Sequence, residues 1–171
     1  MVTAILYTTN SGYTKAYAEL MSKLTGLPAY NTANSIPPAV RGKDVIYLGW
    51  LMAGGVQGFK KVRERYAIKA LCPVGMAPKE QDQVAGIRKK YGLGILPIFY
   101  LQGGFSMEKL TGIYRFMMKM MCKKILADLP KTEERTEDQQ AMYEMCVNGR
   151  SFVSEENLSE VLTWFQEQKE A

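Results

Sequence analysis

The chain contains no histidine. Imidazole is therefore absent as a general acid, a general base or a metal ligand, and with three cysteines an ordinary zinc site is excluded as well. Those cysteines, Cys72, Cys122 and Cys146, form no C-x-x-C pair, and an odd, unpaired set fits a reducing compartment. Cys72 falls in an apolar run and reads as a small core residue. No G-x-x-x-x-G-K-[ST] is present, which excludes a P-loop nucleotidase, and no G-x-G-x-x-G, which argues against a Rossmann dinucleotide site. The longest apolar run, near Val45 to Val56, is short for a bilayer span and is broken by glycines. The N-terminus lacks the basic, apolar and small-residue order of a secretion signal, so a cytoplasmic location is expected. These absences push the chemistry away from side-chain acid–base pairs and towards a bound cofactor.

What is present is enough for a real core. At 171 residues and 47% hydrophobic, one domain over 1–171 is expected, with 106–147 a helical insertion and loop within it. Charge is uneven: residues 1–131 carry 19 basic and 7 acidic side chains, whereas residues 132–171 carry 3 and 10. A basic body attracts phosphates, anionic lipid or an acidic partner. No nucleic-acid motif accompanies the charge, so nucleic acid is not the expected partner.

The most informative stretch is the first turn. Val2 to Thr8 is β-branched and apolar, the pattern of a buried strand. From Lys15 to Leu24, Ala16, Tyr17, Leu20, Met21 and Leu24 recur at helical spacing. Between them lie Thr9, Asn10, Ser11, Gly12, Tyr13 and Thr14. Unpaired N–H groups and the positive dipole end of a helix's first turn favour an anion. Gly12 allows close backbone approach, and Thr9, Ser11 and Thr14 offer hydroxyl donors. The same residue types also serve as plain helix caps. The turn carries no lysine or arginine, so any anion there is held by amides and hydroxyls.

Further along, strands are expected at Leu27–Asn31, Asp44–Gly49, Lys69–Gly75 and Gly94–Leu101. Helices are expected at about 57–67 and at Glu80–Tyr91. Strands alternating with single helices predict an α/β fold with a parallel sheet covered on both faces. Right-handed crossovers then gather the loops after the strands on one edge, where ligands of such sheets bind. That edge collects three groups: Thr9–Thr14; the apolar loop Trp50, Leu51, Met52, Ala53 and Gly54; and Gly75, Met76, Ala77 and Pro78. Response-regulator receivers share this topology but need carboxylates where this chain has Gly49-Trp50 and Thr8-Thr9.

Thr9, Ser11, Gly12 and Thr14 match, position for position, the T-x-[ST]-G-x-T turn of flavodoxins, with Tyr13 in place of the usual Asn. The chain thus resembles the flavodoxin-like FMN-binding family. The resemblance implies a doubly wound, five-stranded parallel sheet of order 2-1-3-4-5 with non-covalently bound FMN at its carboxyl edge. The turn would hold the phosphate, and residues 50–54 and 75–78 would frame the ring. Flavodoxins commonly stack an aromatic on each ring face. Here Ala53 stands at the first such position, with Trp50 close by either to serve the ring or to be a buried strand-end residue, and the 75–78 loop has no aromatic, which leaves a face open to a stacking substrate or partner.

The C-terminal third departs from a small flavodoxin. A long helix from about Glu108 to Ala127 is expected, with Ile113, Phe116, Met117, Met120, Met121 and Leu126 near one face and Arg115, Lys119 and Lys123 on another. Met-rich helices fill irregular cores, and a basic amphipathic helix also suits a peripheral membrane surface. Residues 130–140 read as an exposed polar loop. Ser154 to Asn157 then cap a last helix whose Leu158, Val161, Leu162 and Phe165 return to the sheet. Phe99–Gly104, Tyr114–Met121 and Ser154–Phe165 are similar to the flavodoxin-domain group containing menaquinone-dependent protoporphyrinogen oxidases. That group carries a Y-x-R-F-M-x-K helix, and here one residue fewer separates Tyr114 from Arg115. The resemblance implies an oxidoreductase working on a quinone, another small molecule or a redox partner. An electron carrier and a non-catalytic interaction module that lost the flavin stand as the other readings.

Overall fold

Nine consecutive residues from Asp44 to Met52 build the strand at the centre of the sheet, and the other strands assemble around it. The computed structural model describes residues 1–79, 81–110 and 112–170. The chain divides into two compact units, one formed by Met1–Gly103 with Val153–Ala171, the other by Gly104–Phe152.

In the first unit, β1 (Ala4–Thr8) leads into α1 (Tyr13–Thr25) and then β2 (Ala29–Asn31). The central strand is β3 (Asp44–Met52), followed by β4 (Gly55–Val56), α2 (Phe59–Arg63) and β5 (Ala67–Gly75). Next come α3 (Gln81–Tyr91) and β6 (Leu101–Gln102). The main path of the sheet is β2-β1-β3-β5-β6, all parallel, with β4 pairing antiparallel to β3 off that path. The architecture is α/β with a mainly parallel central sheet, as the alternation of patterns predicts.

Side chains alternate across each strand, so the sheet needs two cores. Ile5, Tyr7, Ile46, Leu48, Ala70 and Cys72 face one side, and Tyr17, Ala18 and Met21 of α1 pack there with Leu158, Val161 and Phe165 near the C-terminus. Leu6, Val45, Tyr47 and Leu71 face the other side, with Phe59 and Val62 of α2 and Ile87 of α3. Helices therefore cover both faces. Near the C-terminus Asn157 N–H donates to Ser154 Oγ at 3.3 Å, but the bond opens a short 3-10 turn, Glu156–Leu158, and the last α-helix begins only at Ser159.

Several boundaries differ from the sequence pattern. The apolar residues 50–56 do not form a loop: β3 runs on to Met52 and folds back as a hairpin, Leu51 opposite Val56 and Met52 opposite Gly55. Ala53 (φ 47°) and Gly54 (φ 65°) make its two-residue turn, both in the left-handed region that such hairpins require. The helix expected over 57–67 is only Phe59–Arg63, because pairing of Ala67 with Asp44 demands extended chain by then. The fifth parallel strand is short. Leu71 N–H donates to Pro97 O and Phe99 N–H to Leu71 O, both at 2.9 Å, but Pro97 has no N–H of its own and regular pairing resumes only at Leu101. Gly94 is left-handed (φ 49°) and Ile95 is wholly exposed, so neither belongs to the strand. The expected start of α3 at Glu80 lies outside the described residues.

The second unit opens with β7 (Gly104–Phe105) and closes with β8 (Arg150–Ser151), paired antiparallel as Gly104 to Ser151 and Phe105 to Arg150. Between them run α4 (Gly112–Asp128) and α5 (Glu137–Asn148). The second of these begins within the last four residues, 137–140, of what reads as a polar loop over 130–140. Thr136 and Gln139 form a reciprocal capping box, with Thr136 Oγ1 accepting from Gln139 N–H at 3.3 Å and Gln139 Oε1 accepting from Thr136 N–H at 3.0 Å. Arg135 donates from Nε to Pro130 O at 3.0 Å and stacks over the Tyr143 ring at 4.1 Å. The side of α4 that packs within this unit is centred on buried Cys122, which hydrogen-bonds Cys146 of α5. The set Ile113, Phe116, Met117, Met120 and Met121 is exposed instead, and Leu126 parts from it as a half-buried residue. The chain ends in α6 (Ser159–Glu170), part of the first unit. Among the described residues no helix is long and apolar enough to cross a membrane.

Candidate functional site

Parallel register aligns the strand ends. Thr8 lies opposite Gly49 and Gly49 opposite Pro73, while Trp50 lies opposite Val74, Val74 opposite Leu101 and Gly75 opposite Gln102. The segments after β1, β5 and β6 and the hairpin of β3 therefore emerge on one edge.

The turn after β1 is built from backbone and hydroxyls. Gly12 takes the left-handed conformation (φ 89°), which a side chain disfavours, and donates its N–H to Thr9 Oγ1 at 3.1 Å. A Cβ added to Gly12 would meet no atom within 4 Å, so the space above the turn is open. No side chain caps α1, and its first turn holds no acidic residue; the first intrahelical bond at this end is Ala16 N–H to Gly12 O at 2.9 Å. Thr14 is polar and only 2% exposed. Asn10 Nδ2 is buried with no hydrogen-bond partner. An orphaned buried amide costs on the order of 1–3 kcal/mol, a cost that an anionic ligand accepting its hydrogens would remove. Burial also pushes the Tyr13 phenol above its ordinary range, so it stays protonated and uncharged beside the turn.

Two further segments close on this turn. Gly103 threads past it: a Cβ there would lie 2.7 Å from Val74 Cγ1 and 3.2 Å from Tyr13 Cβ, and its N–H donates to Gly75 O at 2.7 Å. Tyr17 O–H donates to Gln102 O at 2.6 Å and accepts from Asn157 Nδ2 at 2.8 Å, tying α1, β6 and the approach to α6 together. Tyr100 O–H donates to Ala77 O at 2.6 Å and Gln102 Nε2 to Met76 O at 3.4 Å, which holds the 75–78 segment in place. Gly103 thus lies between Tyr13, the first residue of α1, and Gly75. Tyr17, Tyr100, Gln102, Gly103 and Asn157 support the site, a role that the sequence pattern did not assign to them.

Residues of the hairpin also border a cleft. Trp50, Met52 and Ala53 line a cleft of about 1680 Å³, together with Thr8, Thr32 and residues of α2 and α3, while Thr9–Thr14 and Gly75–Pro78 are not in its wall. Leu51 and Gly54 also lie outside it. Among the described residues the cleft carries Arg41, Lys60, Lys61, Arg65 and Lys90 against one carboxylate, Glu64, so it is strongly positive. Lys60 and Lys61 come from α2 and Arg65 from just beyond it, while Arg41 and Lys90 arrive from separate segments.

One hydroxyl chain underlies the cleft. Tyr47 O–H donates to Gln57 O at 2.6 Å, so at 2.7 Å it accepts from Thr8 Oγ1, and Thr8 in turn accepts from Thr32 Oγ1 at 2.6 Å. A carbonyl only accepts, which fixes the direction of every proton in the chain. Thr8 and Thr32 therefore present lone pairs rather than protons to the cleft. Burial first, only partly offset by the Thr8 bond, pushes the Tyr47 phenol up to about 12. Gly58 sits directly against this chain, where a Cβ would collide with Thr8 Oγ1 and Tyr47 Oη.

No cluster of three or more potential metal ligands occurs among the described residues. Comparison with known proteins finds no family model that matches the chain and no match among curated proteins.

Proposed function

We propose that the chain is a flavodoxin-like oxidoreductase that binds one FMN non-covalently at the carboxyl edge of the sheet. The observation that carries this reading is the orphaned amide of Asn10, set in an open, hydroxyl-rich turn at the uncapped start of α1. Thr9, Asn10, Ser11 and Thr14 would hold the phosphate, with Gly12 permitting close approach. The sheet path β2-β1-β3-β5-β6, once the hairpin strand is set aside, supports the flavodoxin-like part of the proposal.

The redox chemistry would be the flavin's own, and the protein's part is to hold, orient and shield it. Ala53 and Gly54 on the hairpin and Met76, Ala77 and Pro78 beyond β5 would frame the ring. None is aromatic, so a ring face stays accessible to a quinone, another small molecule or a redox partner. The positive cleft beside the hairpin favours an anionic substrate or the acidic face of such a partner. No side chain is assigned as acid or base. The lack of a stacking aromatic at 75–78 also favours a second reading, an interaction module of the same fold without flavin.

The visible spectrum of freshly purified protein, before and after adding FMN, tests both. Oxidised-flavin bands, with FMN released on denaturation, are expected. Gly12→Val and Thr14→Val should each weaken FMN binding by at least about tenfold, the value of one lost charge-assisted hydrogen bond. A colourless protein that FMN does not restore sinks the oxidoreductase and leaves the interaction module.

A further inference from the structure

Helix α4 has one face too many. Cys122 is buried and Tyr114, Met118, Ile125 and Leu126 are half-buried, so this side of the helix serves the packing of its own unit. On the other side Ile113 is 67% exposed, Phe116 65%, Met117 53%, Met120 55% and Met121 37%. At the helical repeat these five side chains share an arc of about 140°, a continuous apolar strip along about two and a half turns. Scattered exposed apolar residues need no explanation, but a contiguous strip does.

Charge indicates what covers it. Arg115, Lys119 and Lys123 follow one another at intervals of four along one border of the strip, and Lys124 falls within its C-terminal end. No acidic residue occurs between Glu108 and Asp128. A second copy of the chain docking here symmetrically would set cations against cations, and the strip offers no carboxylate to answer them. An anionic lipid surface answers both parts, taking the apolar side chains between its acyl chains and the cations among its phosphates. Unbranched methionines adapt to such a fluid partner better than to a rigid one.

We propose that the exposed face of α4 is a peripheral binding surface for anionic phospholipid, with the helix lying in the plane of the interface. The proposal does not rest on FMN binding, and its readout is independent of flavin.

Cosedimentation of the full chain with phosphatidylcholine vesicles, with and without phosphatidylglycerol, tests it. Binding to the anionic vesicles that weakens in high salt, and at least tenfold weaker binding to the neutral ones, is expected. Replacing Lys119, Lys123 and Lys124 by Gln together should cut partitioning roughly a hundredfold, on the scale of one phospholipid contact per cation. The pair Phe116→Ser and Met120→Ser should cut it at least tenfold while leaving the thermal midpoint in place, since both positions are exposed. Failure to bind anionic vesicles, equal binding to neutral ones, or unchanged binding by either variant would overturn the proposal. So would a concentration-dependent dimer that Phe116→Ser dissociates, which would give the face to a second copy.

Discussion

Helices α1 and α4 are written in similar letters and meet different fates. Both repeat apolar residues at helical spacing, and both contain methionine and tyrosine among lysines. In α1 a single stripe is apolar, and Tyr17, Ala18 and Met21 disappear completely beneath the sheet. In α4 the apolar residues wrap past one stripe, and the excess stays in solvent. Periodicity therefore reports that a helix has an apolar side; it does not report how many neighbours are available to cover it. The number of layers decides that, and layers are a property of the whole chain.

The sharpest way to break this comparison is to truncate one methionine in each helix. Met21→Ala should cost about 2–5 kcal/mol, and Met120→Ala within about 0.5 kcal/mol, in the midpoint of denaturant unfolding. Equal costs would mean that the α4 strip is covered by protein after all. A second contrast reads burial through protons. Tyr47 holds its proton up to about 12 in the folded chain against 10.0 when free, so the folded state binds more protons than the unfolded state between those values. Stability is then fully present below about pH 10 and is lost as pH rises towards 12. Tyr47→Phe should flatten that decline in alkaline unfolding curves, at some cost in neutral stability from the lost hydroxyl chain. An unchanged slope would show that the other buried tyrosines and cysteines carry it. The smallest expected effect is a gain: Ala53→Gly relieves a left-handed alanine and should raise the unfolding midpoint by about 0.5–1 kcal/mol. A loss there would mean that the methyl group packs usefully in the cleft.

Much of the sheet was legible because its strands are short apolar, β-branched runs between turn residues, and Thr9–Thr14 was legible because its elements are contiguous. The hairpin after Met52 was not, since Ala53-Gly54 lacks the Asn-Gly or Asp-Gly signature that announces such a turn. Helix α5 hid behind its polarity; the Thr136-x-x-Gln139 box was its one local signal, and it becomes decisive only once the two side chains are seen to reciprocate. Gln102, Gly103 and Asn157 reach the site from positions far away in the chain. Their roles depend on Tyr17 and Gly75, so no window of neighbouring residues contains the information. The positive cleft is the same kind of case: Arg41, Lys60 and Lys90 look like ordinary surface cations until three elements converge.

The β7–β8 ladder has a consequence for how the molecule can vary. Because Gly104 lies opposite Ser151, the polypeptide leaves the sheet-bearing unit and comes back through adjacent strands. The excursion between those strands is a detour whose length the sheet does not feel. Lengthening it adds only a slowly growing closure entropy, roughly 0.6 kcal/mol for each doubling. A helical hairpin in such a position can be grown, trimmed or exchanged while the path from β5 through β6 to α6 is left as it was.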